Sequence, residues 1–88
     1  MAYTVEENKS VRKEVAKLQS KVKSNYNKWK TNDLVHHPET AHEGTVNKFK
    51  EATVYKKRFG QHRALYIINK TNQAVLIFQL DGRDDVYK

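Results

Sequence analysis

Apolar residues recur at helical intervals along the first third of the chain. Val11, Val15, Leu18, Val22, Tyr26 and Trp29 follow one another at spacings of 4, 3, 4, 4 and 3 residues. At about 100° per residue they fall on one stripe of a helix. Lysines fill the other face: Lys9, Lys13, Lys17, Lys21, Lys23, Lys28 and Lys30. The stripe suits one long helix or two helices broken near Gln19-Ser20, and no glycine or proline decides between them. Asn8 or Ser10 can cap its start, since a short oxygen-bearing side chain accepts from a free amide of the first turn. Upstream, Tyr3 and Val5 alternate with polar residues and predict a short strand. Downstream, Asn32-Asp33 weakens the helix and His36-His37-Pro38 ends it, because the residue before proline avoids the helical region. A polar loop runs on through Gly44, and residues 45–50 fit neither period.

Beyond residue 53 the period shortens to two. Runs at 54–59, 63–68 and 74–80, rich in β-branched and aromatic residues and bounded by turn signals, read as strands. Gly60-Gln61 suits a two-residue hairpin turn with glycine first. That turn sets Phe59 opposite His62, Arg58 opposite Arg63 and Lys56 opposite Leu65. Opposed residues of an antiparallel pair share a face, so Lys56, Arg58 and Arg63 gather together. Directly opposed like charges cost stability, and an anion seated between them offsets that cost. The plainer alternative is a solvated basic edge that discourages aggregation. At the next turn, residues 69–73, a three-residue loop with Asn72 in the left-handed conformation puts Ala74, Leu76, Phe78 and Leu80 with Ala64, Tyr66 and Ile68, beneath the helix stripe. A loop of opposite parity swaps the two faces.

Length and charge narrow the picture. Eighty-eight residues predict a single domain, 1–88, because a second core would be too small to hold itself together. A net charge of +7 attracts polyanions: RNA, DNA, an acidic protein or an anionic membrane. No apolar run approaches the roughly 18 residues of a membrane span. The first seven residues lack a signal-peptide pattern, and there is no cysteine for a disulfide or thiolate site. The expectation is a cytoplasmic protein without membrane attachment. Aromatics mark the packed part: Tyr26, Trp29, Phe49, Tyr55, Phe59, Tyr66 and Phe78. So small a core invites a tight partner that adds burial. His36, His37 and His42 have no ligand spacing, so neither metal nor cofactor is expected, and phosphate-loop and dinucleotide fingerprints are absent. His62 stands at the turn beside the basic cluster. Arg83 and Tyr87 follow the last strand beyond Asp81-Gly82. They suit either a site or a surface arginine paired with Asp84 or Asp85 and a packing tyrosine.

These residues have a familiar arrangement. Tyr55-Lys56-Lys57-Arg58-Phe59-Gly60-Gln61-His62-Arg63-Ala64-Leu65-Tyr66 resembles the strand–turn–strand core of the RelE/ParE toxin superfamily, roughly Y-R-x-R-x-G-x-Y-R-x-x-Y. Gly82-Arg83-Asp84-Asp85-Val86-Tyr87 resembles its terminal G-[HK]-R-x-x-V-Y. The order of elements agrees along essentially the whole chain. The resemblance implies an α+β fold in which a short N-terminal strand and two helices, a helical hairpin, pack on a three- to four-stranded mostly antiparallel sheet. It implies the toxin of a type II toxin–antitoxin pair, with an acidic antitoxin protein and the ribosome, mRNA in its A site, as partners. RelE-like members cut messenger RNA there, whereas ParE-like members poison DNA gyrase. Residue by residue, Lys56 and Arg58 match the two basic strand positions of the RNases, Arg63 the arginine after the turn, Arg83 the arginine before the C-terminus and Tyr87 the terminal tyrosine. Retention of all five favours the RNase branch. Three departures stand out: His62 for the usual tyrosine, Ala64 for a branched residue, and Asp81 as an acid near Arg83. A gyrase-inhibiting toxin and a catalytically inactive binding module are the alternatives.

The reaction implied needs no metal. An RNA 2′-hydroxyl attacks its own phosphate, so the enzyme must orient the phosphate, stabilise charge and move two protons. Arg63 and Arg58 suit the phosphate, since the guanidinium fork matches its oxygens and stays charged. Arg83 suits the transition state or leaving group. Lys56, crowded by cations, is the candidate base, and Tyr87 can stack on a nucleobase.

Overall fold

The computed structural model describes residues 2–46 and 53–81. The order of elements is β1 (Thr4–Glu7), α1 (Lys9–Lys17), α2 (Ser20–Lys28), a π-helical turn (Trp29–Asp33), α3 (Leu34–His36), β2 (Gly44–Val46), β3 (Val54–Phe59), β4 (His62–Asn69) and β5 (Ala74–Asp81). The strands form one sheet in the order β1-β5-β4-β3-β2, with β1 parallel to β5 and every other pair antiparallel. Helices α1 and α2 pack on one face of this sheet, giving the expected α+β architecture. Of the stretch whose period was ambiguous, residues 45 and 46 belong to the short edge strand β2, and residues 47–50 lie outside the described residues.

Local signals build the helical layer. Asn8 is the N-cap of α1. Its side-chain oxygen accepts from the Val11 amide at 3.0 Å, and its side-chain nitrogen donates to the Phe78 carbonyl at 2.7 Å. One residue thus satisfies an open helix end and ties it to β5. The stripe breaks into two helices at Leu18 and Gln19, both extended, with ψ of 146° and 153°. Val11, Leu18, Tyr26 and Trp29 are buried along it. The helix does not weaken at Asn32-Asp33 as expected but widens into the π turn, where the Leu34 amide donates to the Trp29 carbonyl. In a regular α-helix Leu34 would lie roughly 140° around from Trp29. The wider turn brings it back toward the core, where it is fully buried. The helix ends at His36, ahead of Pro38.

The β3–β4 hairpin has the expected register: Phe59 opposite His62, Arg58 opposite Arg63 and Lys56 opposite Leu65. Gly60 occupies the first turn position with φ +61°, a conformation in which a Cβ is strained. The β4–β5 connection departs from expectation. Its loop has four residues, because Asn69 pairs with Ala74. Gln73, not Asn72, takes the positive φ, 51°, and the Asn69 side chain accepts from the Asn72 amide at 3.1 Å. The core face of β5 therefore begins with Val75 and Ile77 rather than with Ala74, Leu76 and Phe78. A bulge between Leu65 and Tyr66 then leaves Phe78 as the extra residue and reverses the parity. This restores Leu80 to the core beside Ala64. Trp29 centres the core, with ring centroids 5.0 Å from Phe59, 5.6 Å from Tyr66 and 5.7 Å from Tyr26. Phe49 lies outside the described residues.

Candidate functional site

Alternation along β3 and β4 puts Lys56, Arg58 and Arg63 on the sheet face turned away from the helices. Val54 and Leu65 share that face and are buried, at 2% and 1% exposure, so the cations stand around an apolar floor. Arg58 is exposed, and Lys56 and Arg63 are half-buried. Lys56, Lys57, Arg58 and Arg63 line one small cleft together with Glu43.

Glu43 escaped the sequence reading. It lies 13 residues before Lys56 in a polar loop, and no spacing announces it. The pairing of β2 with β3 brings it in: Gly44 stands opposite Lys56, and the Glu43 amide donates to the Lys56 carbonyl at 2.8 Å. Gly44 matters here because a Cβ at that position would come within 3.2 Å of Lys56 Cε. The Glu43 carboxylate lies 3.6 Å from Lys57 Nζ.

The loop that carries Glu43 is sewn to the core by aromatic residues. Trp29 Nε1 donates to the Ala41 carbonyl at 2.6 Å, and the Tyr66 hydroxyl donates to the Pro38 carbonyl at 2.7 Å. The His42 ring packs on Tyr55 at 4.7 Å, and Tyr55 stacks on Tyr66 at 5.3 Å. Burial raises the Tyr66 hydroxyl well above its ordinary pKa, with a smaller contribution from Tyr55. The hydroxyl therefore stays protonated and keeps donating. Core residues thus fix the height of the cleft wall.

The other candidate residues fall differently. Arg83 and Tyr87 lie outside the described residues. Asp81, expected beside Arg83, stands opposite Arg63 in the β4–β5 register. His62 is opposite Phe59 and shares its face, on the helix side of the sheet, not the face of Arg58 and Arg63. The described cleft thus contains a guanidinium pair, two ammonium groups and one carboxylate. Such a set can hold a phosphate by two-pronged hydrogen bonds and can accept a proton beside it.

No family model matches the chain, and no curated protein does. Solved structures do. A chain of the archaeal RelE–RelB complex from Pyrococcus horikoshii superposes with a TM-score of 0.79 at 21% identity, over 96% of this chain and 98% of that one. A RelBE toxin–antitoxin complex from Mycobacterium tuberculosis gives 0.73 at 25% identity, over 94% and 93%. A mutant of the E. coli toxin RelE in the free state gives 0.70 at 22% identity, over 99% and 92%. The chain therefore has a RelE-like toxin fold. Among its described residues no helix is long and apolar enough to cross a membrane.

Proposed function

We propose that this chain is the toxin of a type II toxin–antitoxin pair and acts as a ribosome-dependent messenger RNA endoribonuclease that stops translation. The observation that carries the reading is the grouping of Lys56, Arg58 and Arg63 around one cleft, on a fold shared with RelE toxins. The partners are an acidic antitoxin protein and the ribosome with mRNA in its A site, and the setting is the cytoplasm. The whole chain, 1–88, acts as one domain.

In this mechanism the 2′-hydroxyl gives its proton to a base and its oxygen bonds to the adjacent phosphorus. The bond to the 5′-oxygen breaks, and that oxygen leaves with a proton. The products are a 2′,3′-cyclic phosphate and a free 5′-hydroxyl, and no water is consumed. Arg58 and Arg63 hold the phosphate oxygens in line. Arg83 stabilises the transition state or the leaving oxygen, and Tyr87 stacks on a base to orient it. Lys56 is one candidate base, and Glu43, in the same cleft, is a second group able to take the proton. Among the described residues no histidine lines the cleft, so the reaction depends on the ribosome to hold the mRNA, and naked RNA is a poor substrate.

Asp81, opposite Arg63, favours one competing reading. A carboxylate beside the phosphate arginine reduces its pull on an anion, as suits a catalytically inactive binding module of the same fold. Induced expression without an antitoxin separates the alternatives. The RNase reading expects growth arrest with loss of protein synthesis, ribosome-bound mRNA cut, and DNA supercoiling unchanged. Intact mRNA with trapped gyrase–DNA breaks means a ParE-like poison, and growth without arrest means an inactive module.

A further inference from the structure

A second, larger cleft lies where the end of α2 and the π turn face the β3–β4 hairpin. Its volume is about 370 Å³, and Asn25, Lys28, Asn32 and Asp33 line one wall while Lys57, Arg58 and Gly60 line the other. Trp29 and Phe59, both buried, close its floor. We infer that this cleft binds one nucleotide of the RNA, its phosphate held by Lys28, Lys57 and Arg58 and its base edge read by Asn25, Asn32 and Asp33. The inference rests on the proposed RNA-cleaving function, and it adds a subsite that selects a nucleotide next to the cut.

Three observations support it. First, the cleft adjoins the basic face through shared lining residues. Strand β2 covers β3 only from Val54 to Lys56. Lys57 and Arg58 beyond it line both clefts. A strand whose phosphate lies between Arg58 and Arg63 can turn around this edge and place its next nucleotide beneath Asn32. Second, the size is right, since pockets for small ligands begin at roughly 300 Å³. Third, the chemistry is mixed. A purely acidic ligand would need cations alone and would be repelled by Asp33. A nucleotide uses both kinds of group. Carboxamides donate and accept at once, and a carboxylate accepts from an exocyclic amine or a ribose hydroxyl. Both asparagines are exposed, and neither side chain is hydrogen-bonded to another described residue, so both are free to meet a base. The π turn contributes directly. By returning Leu34 to the core it leaves Asn32 and Asp33 on the cleft wall, and such widened turns recur at functional sites.

Trp29 is the only tryptophan and sits at the cleft floor, so its emission reports occupancy. The full chain is titrated with the four ribonucleoside 5′-monophosphates and, separately, with inorganic phosphate. Saturable change in Trp29 emission is expected with at least one nucleotide, and at equal concentration none with phosphate. Asn25→Ala and Asn32→Ala should each weaken that binding about tenfold, the worth of one or two hydrogen bonds. Both variants should melt where the parent melts and should alter the sequence preference at the cut. An equal response to phosphate, no response to any nucleotide, or unchanged affinity in both asparagine variants overturns the inference. So does a cleft that an acidic antitoxin peptide occupies and nucleotides do not. A chain that arrests translation but binds no nucleotide here loses only this subsite. A chain that binds nucleotides here without arresting translation loses the RNase reading and keeps the subsite.

Discussion

Replacing Tyr26 by phenylalanine tests how the helical layer is locked to the sheet. Tyr26 is fully buried, and its hydroxyl donates to the Glu7 carboxylate on β1. The second Glu7 oxygen lies 3.4 Å from Lys30 Nζ, and Lys30 also stands 5.8 Å from the Tyr26 ring centre. Phenylalanine keeps the ring contacts with Trp29 and Phe59 but removes the charged hydrogen bond. Glu7, only 13% exposed, is left with Lys30. A hydrogen bond to a charged group contributes about 2 kcal/mol. In a domain of this size that lowers the melting temperature by roughly 8–16 °C. In urea the midpoint should fall while the slope stays constant. The same residue shapes the alkaline limb. Burial first, then the Glu7 hydrogen bond and charge, raise the Tyr26 hydroxyl above its ordinary value of 10.0, and burial raises Tyr66 likewise. A raised folded pKa means that the unfolded chain loses its protons first. The stabilisation is therefore complete below pH 10 and declines as pH rises above it. At pH 11 each buried tyrosine should remove about 1.4 kcal/mol. The Tyr26→Phe protein should thus lose about half of what the parent loses between pH 9 and pH 11. Urea melts at pH 7, 9, 10 and 11 read all of this. A loss below ~0.5 kcal/mol at pH 7, or alkaline slopes identical in both proteins, would refute the lock.

Arg63→Ala should cut mRNA cleavage on programmed ribosomes by about 100- to 1000-fold, with the thermal melt little changed, whereas Lys21→Ala on the exposed helix face should change it far less. Equal losses in the two would point to general electrostatics rather than a site. Gly60→Ala should lower stability by about 1 kcal/mol, because its φ of +61° disfavours a Cβ while the new atom meets Val22 at an ordinary 3.5 Å. Gly60→Asn should be milder, since asparagine tolerates that region, and urea midpoints distinguish the two. An acidic antitoxin that covers the basic face should bind more weakly as salt rises. An affinity independent of salt, with Arg63 still accessible to solvent in the complex, would exclude that mode of inhibition.

What the sequence determined by itself is what neighbours along the chain decide. The stripe from Val11 to Trp29, the Asn8 cap and the Gly60 turn each depend on a few adjacent residues, and the turn alone brings Lys56, Arg58 and Arg63 to one face. Tertiary structure decided what depends on partners far away in the chain. The inner face of β5 could not be read from alternation, because one loop residue at Gln73 and one bulge at Leu65/Tyr66 each reverse the parity of every later side chain. The π turn returns Leu34 to the core, where it is fully buried, and no local pattern announces that need. Glu43 joined the cleft only when β2 added to the edge of β3. The second cleft exists only because α2 and the hairpin meet across a core that Trp29 centres. Side-chain period records local geometry, whereas register and approach are set by the packing of surfaces distant in sequence, and a one-residue shift in either moves a side chain from one face to the other.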